Sequence, residues 1–155
     1  MLDVNIKVED QKGFWDRFFD LFKKKNKFDK TNTRILFIDD EKDEFPVIQN
    51  LKDAGWSVDS VADVQNVEED VVRRSQIIFV DYKGVGQHLS ESEQGIGLIK
   101  LLKETYKDQK RVGLYSGHNR FSLGHDIDCA DFKLPKNADT REFIDAIQRE
   151  IKKLK

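Results

Sequence analysis

Two short apolar runs that end in carboxylates constrain the fold of this chain more than any other feature of its sequence. Arg34 to Ile38 is followed by the acid pair Asp39-Asp40, and Ile77 to Val80 is followed by Asp81. Runs of this kind, rich in branched residues, predict strands buried on both faces. If the two strands lie side by side, three acids gather at one end of a sheet. Such a cluster repels itself unless a divalent metal, a shifted pKa or a lysine compensates its charge.

Strand-like and helical segments alternate from Arg34 onward. The predicted strands are Arg34–Ile38, Trp56–Val61, Ile77–Val80, Val112–Tyr115 and Ala130–Leu134. Apolar residues at helical spacing predict helices around Phe45–Leu51, Val67–Arg73, Gly95–Tyr106 and Phe143–Leu154. Between Ser116 and Ala130 the helical pattern is poor, because Gly117 and Gly124 interrupt it. This order predicts an α/β fold, a doubly wound five-stranded parallel sheet, with a short or irregular fourth helix.

The candidate functional residues fall at the carboxyl ends of the predicted strands. Asp39, Asp40, Asp81 and Ser116 all lie there, and open α/β sheets bind their ligands beyond these ends. The polar, glycine-bearing stretch from Lys83 to Gln94 predicts a long loop beside Asp81. A loop of this length is often functional, and a tolerated surface insertion is an equally good interpretation.

The first part of the chain carries a separate aromatic pattern. Five residues recur at a spacing that places them on one face of an amphipathic helix: Phe14, Trp15, Phe18, Phe19 and Phe22. A basic run follows, and from Lys12 to Lys30 seven Lys or Arg oppose three Asp, a local charge of +4. Three hypotheses stay open. The helix folds back onto the rest of the chain, docks on a partner protein or second copy, or contacts an anionic membrane through residues 14–27.

Composition limits the functional classes. The 155 residues suit one domain with an extension, and a net charge of −2 gives no reason to expect nucleic-acid binding. The single cysteine, Cys129, excludes an internal disulfide. No segment approaches the ~20 apolar residues of a membrane span, and the first residues lack a signal-peptide pattern. We therefore expect a cytoplasmic protein.

Five motifs, in order along the chain, resemble the receiver domain of two-component response regulators. They are Ile35-Leu36-Phe37-Ile38-Asp39-Asp40-Glu41, Ala54-Gly55-Trp56-Ser57-Val58, Asp81, Ser116-Gly117 and Leu134-Pro135-Lys136-Asn137. The resemblance covers roughly residues 33 to 154 and implies a flavodoxin/receiver-like fold. We therefore divide the chain into an N-terminal extension, residues 1–31, and a receiver domain, residues 32–155.

The resemblance also implies roles for the residues of the acid site. Asp81 stands at the phosphoacceptor position, and Ser116 and Lys136 stand where the family binds the phosphoryl group. Lys133 competes for the lysine role, but the spacing from Lys136 to the last helix favours Lys136. By the same resemblance Lys83 and His118 tune dephosphorylation, with a plain surface role as their alternative.

A metal site follows from the same resemblance. The cofactor implied is Mg²⁺ or Mn²⁺, held by Asp39, Asp40, Asp81 and the backbone carbonyl of Lys83. Hard cations prefer such oxygen ligands.

These roles predict a stand-alone phospho-accepting receiver, since no output domain follows the last predicted helix. A histidine kinase or phosphotransfer protein is its expected phosphodonor, and an unidentified downstream protein receives the signal. We expect no enzymatic activity beyond self-phosphorylation and self-dephosphorylation at Asp81. Two alternatives stay open: a pseudo-receiver that is not regulated by phosphorylation, and a small Mg²⁺-dependent phosphohydrolase.

Three departures from the family pattern indicate a different output surface. The loop after Asp81 is longer than usual. Lys133 stands where the family often has Tyr or Phe, and the fourth helix is weak.

Overall fold

The structure, a computed structural model, describes residues 13–19, 27–117 and 128–155. Residues 13–19 form helix α1. The strands are β1 (Arg34–Ile38), β2 (Ser57–Val61), β3 (Ile77–Asp81), β4 (Arg111–Ser116) and β5 (Phe132–Pro135). The further helices are α2 (Pro46–Asp53), α3 (Asp70–Arg73), α4 (Gln94–Tyr106) and α5 (Thr140–Ile151), with 3₁₀ turns at Lys42–Glu44 and Lys107–Gln109.

The strands form one parallel sheet in the order β2-β1-β3-β4-β5. Its register places Asp81 beside Tyr115 and Ser116 beside Pro135, so the carboxyl ends of these strands meet at one edge. The predicted five-stranded parallel sheet is confirmed. The irregular fourth helix predicted between β4 and β5 falls on residues 118–127, outside the described residues.

Alternate side chains of the sheet enter two separate cores. On one face Leu36, Ile78 and Val80 pack with the apolar residues of α4. On the other face Phe37 and Phe79 pack under α2 and α5, and their rings stack with centroids 4.5 Å apart. Burial on both faces explains why these strands appear in the sequence as continuous apolar runs.

Several element boundaries differ from the predictions by one to three residues, as at both ends of α5, and two of the differences have a side-chain cause. Only Asp70–Arg73 of the predicted helix Val67–Arg73 is helical, because the Glu69 carboxylate accepts a hydrogen bond from the Gln65 N–H at 2.5 Å and holds a turn there. The last strand begins at Phe132 rather than Ala130. Asp131 pairs with Val112 through both its backbone N–H and its carboxylate, and the regular ladder starts after this side-chain bond.

Helix ends follow local sequence signals. Pro46 occupies the first turn of α2, and Asp139 and Glu142 form a capping box at the start of α5. Within the described ranges every helix is too short or too polar to span a lipid bilayer.

Candidate functional site

Three carboxylates meet at the carboxyl-end edge of the sheet. Asp39 and Asp40 follow β1 and Asp81 ends β3, and one oxygen of each lies within 4.8 Å of the others. Asp39 is fully buried, Asp81 is 7% exposed and Asp40 is exposed. They come together because β1 and β3 are parallel neighbours.

A lysine joins two of these acids. The Lys136 Nζ lies 2.9 Å from Asp81 Oδ2 and 3.0 Å from Asp39 Oδ2. Lys133, the competing lysine, pairs instead with Asp128 at 2.8 Å. The two lysines have different partners because Lys136 follows the end of β5, where its backbone N–H donates to the Ser116 carbonyl oxygen and its side chain lies on the side of the acids. The positive charge of Lys136 therefore compensates part of the negative charge of the acid cluster, as one of the three predicted alternatives requires.

Tyr115 is a site residue that the sequence argument missed. Its hydroxyl donates a 2.7 Å hydrogen bond to Asp39 Oδ2, and its ring lies 5.3 Å from the Lys136 Nζ. The Asp39 Oδ1 accepts from the Glu41 N–H at 2.8 Å. A signal was present: a buried tyrosine hydroxyl needs a partner, and Tyr115 ends a strand next to the predicted acids.

The stretch after Asp81 is a built loop that packs against the domain. Val85 is fully buried in the α4-side core. The Gly84 N–H donates to Gln94 Oε1 at 3.0 Å, and the Gly86 N–H donates to Asp63 Oδ1 at 2.7 Å. Gly84 has a φ of +79° and lies against the Asp40 side chain so closely that any Cβ would overlap its carboxylate. The surface-insertion interpretation therefore does not fit this loop.

A cleft of about 240 Å³ opens over the acids. Besides Asp40 and Asp81, it is lined by Glu41, Tyr82, Lys83, Gly84, Ser116, Gly117 and Lys136. The predicted residues Lys83 and Ser116 thus border the space next to Asp81. A group that binds there meets oxygen ligands, a hydroxyl and an ammonium together.

Comparison of the structure with solved structures finds receiver domains. A response regulator from Thermotoga maritima matches 77% of this chain and 98% of its own, with 18% identity and a TM-score of 0.60. The receiver domain of NtrX from Brucella abortus matches 76% of this chain and 97% of its own, with 22% identity and a TM-score of 0.62. The chain has the response regulator receiver fold. No protein-family model and no curated protein sequence matches it.

A third solved structure carries ligands. A response regulator protein from Burkholderia pseudomallei, described with a phosphorylated aspartic acid, a calcium ion and citrate, matches with 22% identity and a TM-score of 0.54. The match covers 77% of this chain and 68% of that one. At these identities the likeness shows the receiver fold, and the chemistry of the present site has to be argued from its own residues.

Burial and neighbouring charges shift the pKa values of three groups in the acid site. Burial raises the pKa of Asp81, and the neighbouring Asp39 charge adds to the rise, whereas Lys136 and the Tyr82 N–H oppose it. Burial alone would lower the pKa of Lys136, but its bonds to Asp81 and Asp39 outweigh burial and raise it. Burial and the Asp39 carboxylate also raise the pKa of Tyr115, so its hydroxyl stays protonated and acts as a donor.

The donor set fits a hard divalent cation. Three carboxylates against one lysine leave a net negative charge, and carboxylate oxygens are the ligands that Mg²⁺, Mn²⁺ and Ca²⁺ prefer. Asp39 Oδ2 already accepts from Tyr115 and Lys136, whereas Asp40 is exposed. Asp81 also accepts from Lys136 and from the Tyr82 N–H, so Asp40 is the carboxylate of the three that is most open to a cation.

The remaining predicted residues lie elsewhere. Phe14, Trp15, Phe18 and Phe19 on α1 are 61, 49, 37 and 61% exposed, and their rings contact one another. This exposure does not agree with the hypothesis that they pack into the receiver core. Phe22 and His118 lie outside the described residues.

Proposed function

We propose that this chain is a phospho-accepting receiver in which Asp81 takes a phosphoryl group in a Mg²⁺-dependent reaction. The observation that carries the proposal is the position of Asp81. It is a mostly buried carboxylate, bonded to Lys136, beside two further acids and under a cleft that Ser116 also lines. Phosphoryl transfer depends mainly on positioning and charge compensation, and these residues supply both.

The chemistry assigns a role to each group. A carboxylate oxygen of Asp81 attacks the phosphorus of a phosphohistidine donor, so the P–O bond forms while the P–N bond breaks and its electron pair stays on the imidazole nitrogen. Lys136 then pairs with the phosphoryl oxygens, and the Ser116 hydroxyl donates to one of them. A bound divalent cation supplies further charge neutralisation. When water attacks the phosphorus, the bond from phosphorus to the Asp81 oxygen breaks, its electron pair returns to the carboxylate, and inorganic phosphate leaves. Lys83 borders the cleft next to Asp81.

The expected partners follow from this proposal. A histidine kinase or phosphotransfer protein donates the phosphoryl group, and a downstream protein reads the changed surface. We also propose that the exposed aromatic face of α1 is a contact surface for a partner protein, a second copy or an anionic membrane. Flotation with anionic vesicles, with and without residues 1–26, tests the membrane alternative, since only membrane binding moves the full chain into the lipid fraction. A change in oligomeric state on removal of residues 1–26 would identify a second copy as the partner.

The test of the function uses Mg²⁺ with beryllofluoride, which mimics a phosphoryl group on a carboxylate. Amide shifts around Tyr82 and Gly84 are expected in the wild type and absent in Asp81→Asn. Asp43→Asn is the matched control, because Asp43 is an exposed acid of the following 3₁₀ turn with a side chain 90% exposed. Its response should equal that of the wild type.

The same experiment addresses the two alternatives. One observation supports the pseudo-receiver. The Asp39 and Asp81 carboxylates already accept hydrogen bonds from protein groups, Tyr115 for Asp39 and the Tyr82 N–H and Lys136 for Asp81, so the folded acid site does not need a cation or a phosphoryl group. A wild type that shows no amide shift with beryllofluoride favours this alternative. Turnover of a phosphomonoester that disappears in Asp81→Asn favours the phosphohydrolase.

A further inference from the structure

Tyr115 contacts both groups that flank Asp81. Its hydroxyl donates to Asp39 and its ring lies beside the Lys136 ammonium. We propose that Tyr115 couples the state of the acid site to the face formed by α2 and α5. The inference deepens the proposed function and rests on it.

Lys136 is the group whose change Tyr115 would sense. The lysine is shared between Asp81 and Asp39 at 2.9 and 3.0 Å. When a phosphoryl group forms on Asp81, its oxygens become the stronger acceptors for the ammonium. Asp39 Oδ2 then loses one of its two side-chain donors and depends more on the Tyr115 hydroxyl. The Lys136 ammonium also moves relative to the Tyr115 ring. The hydrogen bond from Tyr115 to Asp39 and the contact of its ring with the ammonium therefore change together.

The ring of Tyr115 passes this change to two helices. Its centroid lies 5.5 Å from that of Phe45 and 6.4 Å from that of Phe143. Phe45 is half-buried and immediately precedes α2, and Phe143 is fully buried in the first turn of α5. Closely packed rings of this kind cannot move independently.

The two helices are themselves linked at their surface. The Asn50 Nδ2 of α2 donates to the Thr140 Oγ1 of α5 at 3.0 Å. Asn50 is exposed and Thr140 is half-buried, so this bond lies at the surface. A shift of Phe45 or Phe143 therefore reaches a surface made of residues from both helices. Lys133, at the position where an aromatic was expected, pairs with Asp128 instead and offers no comparable route.

Fluorine NMR of 3-fluorotyrosine-labelled protein tests the first step. The chain has three tyrosines, Tyr82, Tyr106 and Tyr115, and Tyr115→Phe identifies one resonance by its disappearance. Beryllofluoride added to the Mg²⁺-loaded protein should shift the Tyr115 resonance. Tyr106, whose hydroxyl bonds Val67 O, serves as the internal control and should not shift.

Amide NMR of the same samples tests the coupling. In the wild type, beryllofluoride should shift amides near Tyr82 and Gly84 and also near Asn50 and Thr140. In Tyr115→Phe the shifts in α2 and α5 should be lost at beryllofluoride and Mg²⁺ concentrations that fully shift the Tyr82 and Gly84 amides of that variant. Tyr106→Phe, the same change at the control tyrosine, should behave as the wild type.

A second variant keeps the test independent of the folding of Tyr115→Phe. Phe45→Leu leaves every bond of the acid site in place and should also weaken the shifts at Asn50 and Thr140. If those shifts survive in Tyr115→Phe, the coupling role is overturned while the proposed function stands. If wild-type Tyr82 and Gly84 amides do not respond, the proposed function fails, and the inference fails with it.

Discussion

At the scale of single residues, the Lys136 ammonium balances two carboxylates at once. It bonds Asp39 and Asp81, which are almost fully buried. Lys136→Met would leave these acids facing each other without their ammonium. We expect a loss of about 1–3 kcal/mol in the free energy of unfolding at neutral pH, measured by urea denaturation, and Mg²⁺ should restore part of it.

Lys133→Met is the matched control for that measurement. Lys133 pairs with Asp128, whose side chain is 73% exposed, and exposed ion pairs contribute little. Equal losses in the two variants would contradict the role given to Lys136.

A second lysine, Lys110, predicts a pH dependence. It is buried, donates to the Arg73 and Ser75 carbonyl oxygens and lies over the Tyr106 ring, and burial lowers its pKa to about 8 from 10.5. Between these two values the unfolded chain keeps the proton that the folded chain has released. Stability contributed by this group therefore rises with pH across that window, by roughly 1 kcal/mol per pH unit.

The comparison with Lys110→Met isolates this effect from other titrating groups. Urea midpoints measured from pH 8 to 10.5 should rise more, or fall less, in the wild type than in the variant. Parallel curves for the two proteins would show that the Lys110 pKa is not lowered.

At the scale of elements, the start of α4 is fitted against the end of β3. A Cβ on Gly95 would lie 1.9 Å from the Asp81 carbonyl oxygen. Gly95→Ala should therefore push α4 away from the acid site, lower stability by about 2–4 kcal/mol and abolish the beryllofluoride response. Gly117→Ala is the control for the loss of stability, because a Cβ there would only touch the Lys136 side chain at 3.8 Å. A stable, responsive Gly95→Ala protein would contradict this packing.

Residues 27–33, which precede β1, belong energetically to the domain. Phe28 packs against the α2–α5 core, and the Lys30 Nζ bonds the Ala54 carbonyl and lies 5.5 Å from the Trp56 ring centroid. We expect removal of residues 1–26 to leave the thermal midpoint nearly unchanged, because the α1 aromatics are exposed. Removal of residues 1–31 should lower it by a few degrees. A large loss with the shorter deletion would instead support the fold-back hypothesis.

At the scale of the whole molecule, metal binding should appear as global stability. A cation that binds the folded acid site and not the unfolded chain stabilises by about 2.7 kcal/mol at one hundred times its dissociation constant. For a chain of 155 residues this corresponds to a rise of several degrees in the thermal midpoint. The rise should follow Mg²⁺ concentration in the wild type and be lost in Asp40→Asn. An equal rise in that variant would place the metal elsewhere.

Much of this architecture was determined by the sequence itself. Local properties of the sequence predict the strands, the ends of the helices and the positions of Asp39, Asp40 and Asp81 at strand ends. Parallel pairing of two neighbouring strands is then enough to bring these acids together. Element boundaries were predicted less well. Near Val67 and Ala130 a side chain bonds the backbone in place of the regular helical or ladder hydrogen bond, and this kind of bond leaves no periodic signal in the sequence.

Only the tertiary structure decided how the acids are satisfied. Lys136 and Lys133 are three residues apart in one segment, and their different partners follow from how β5 ends against β4. The hydrogen bond from Tyr115 to Asp39 spans 76 positions of the chain. Contacts of this range depend on the order and register of the strands, which no local sequence pattern encodes. The sequence therefore predicted the three carboxylates, and only the fold showed that Lys136 and Tyr115 bond to them.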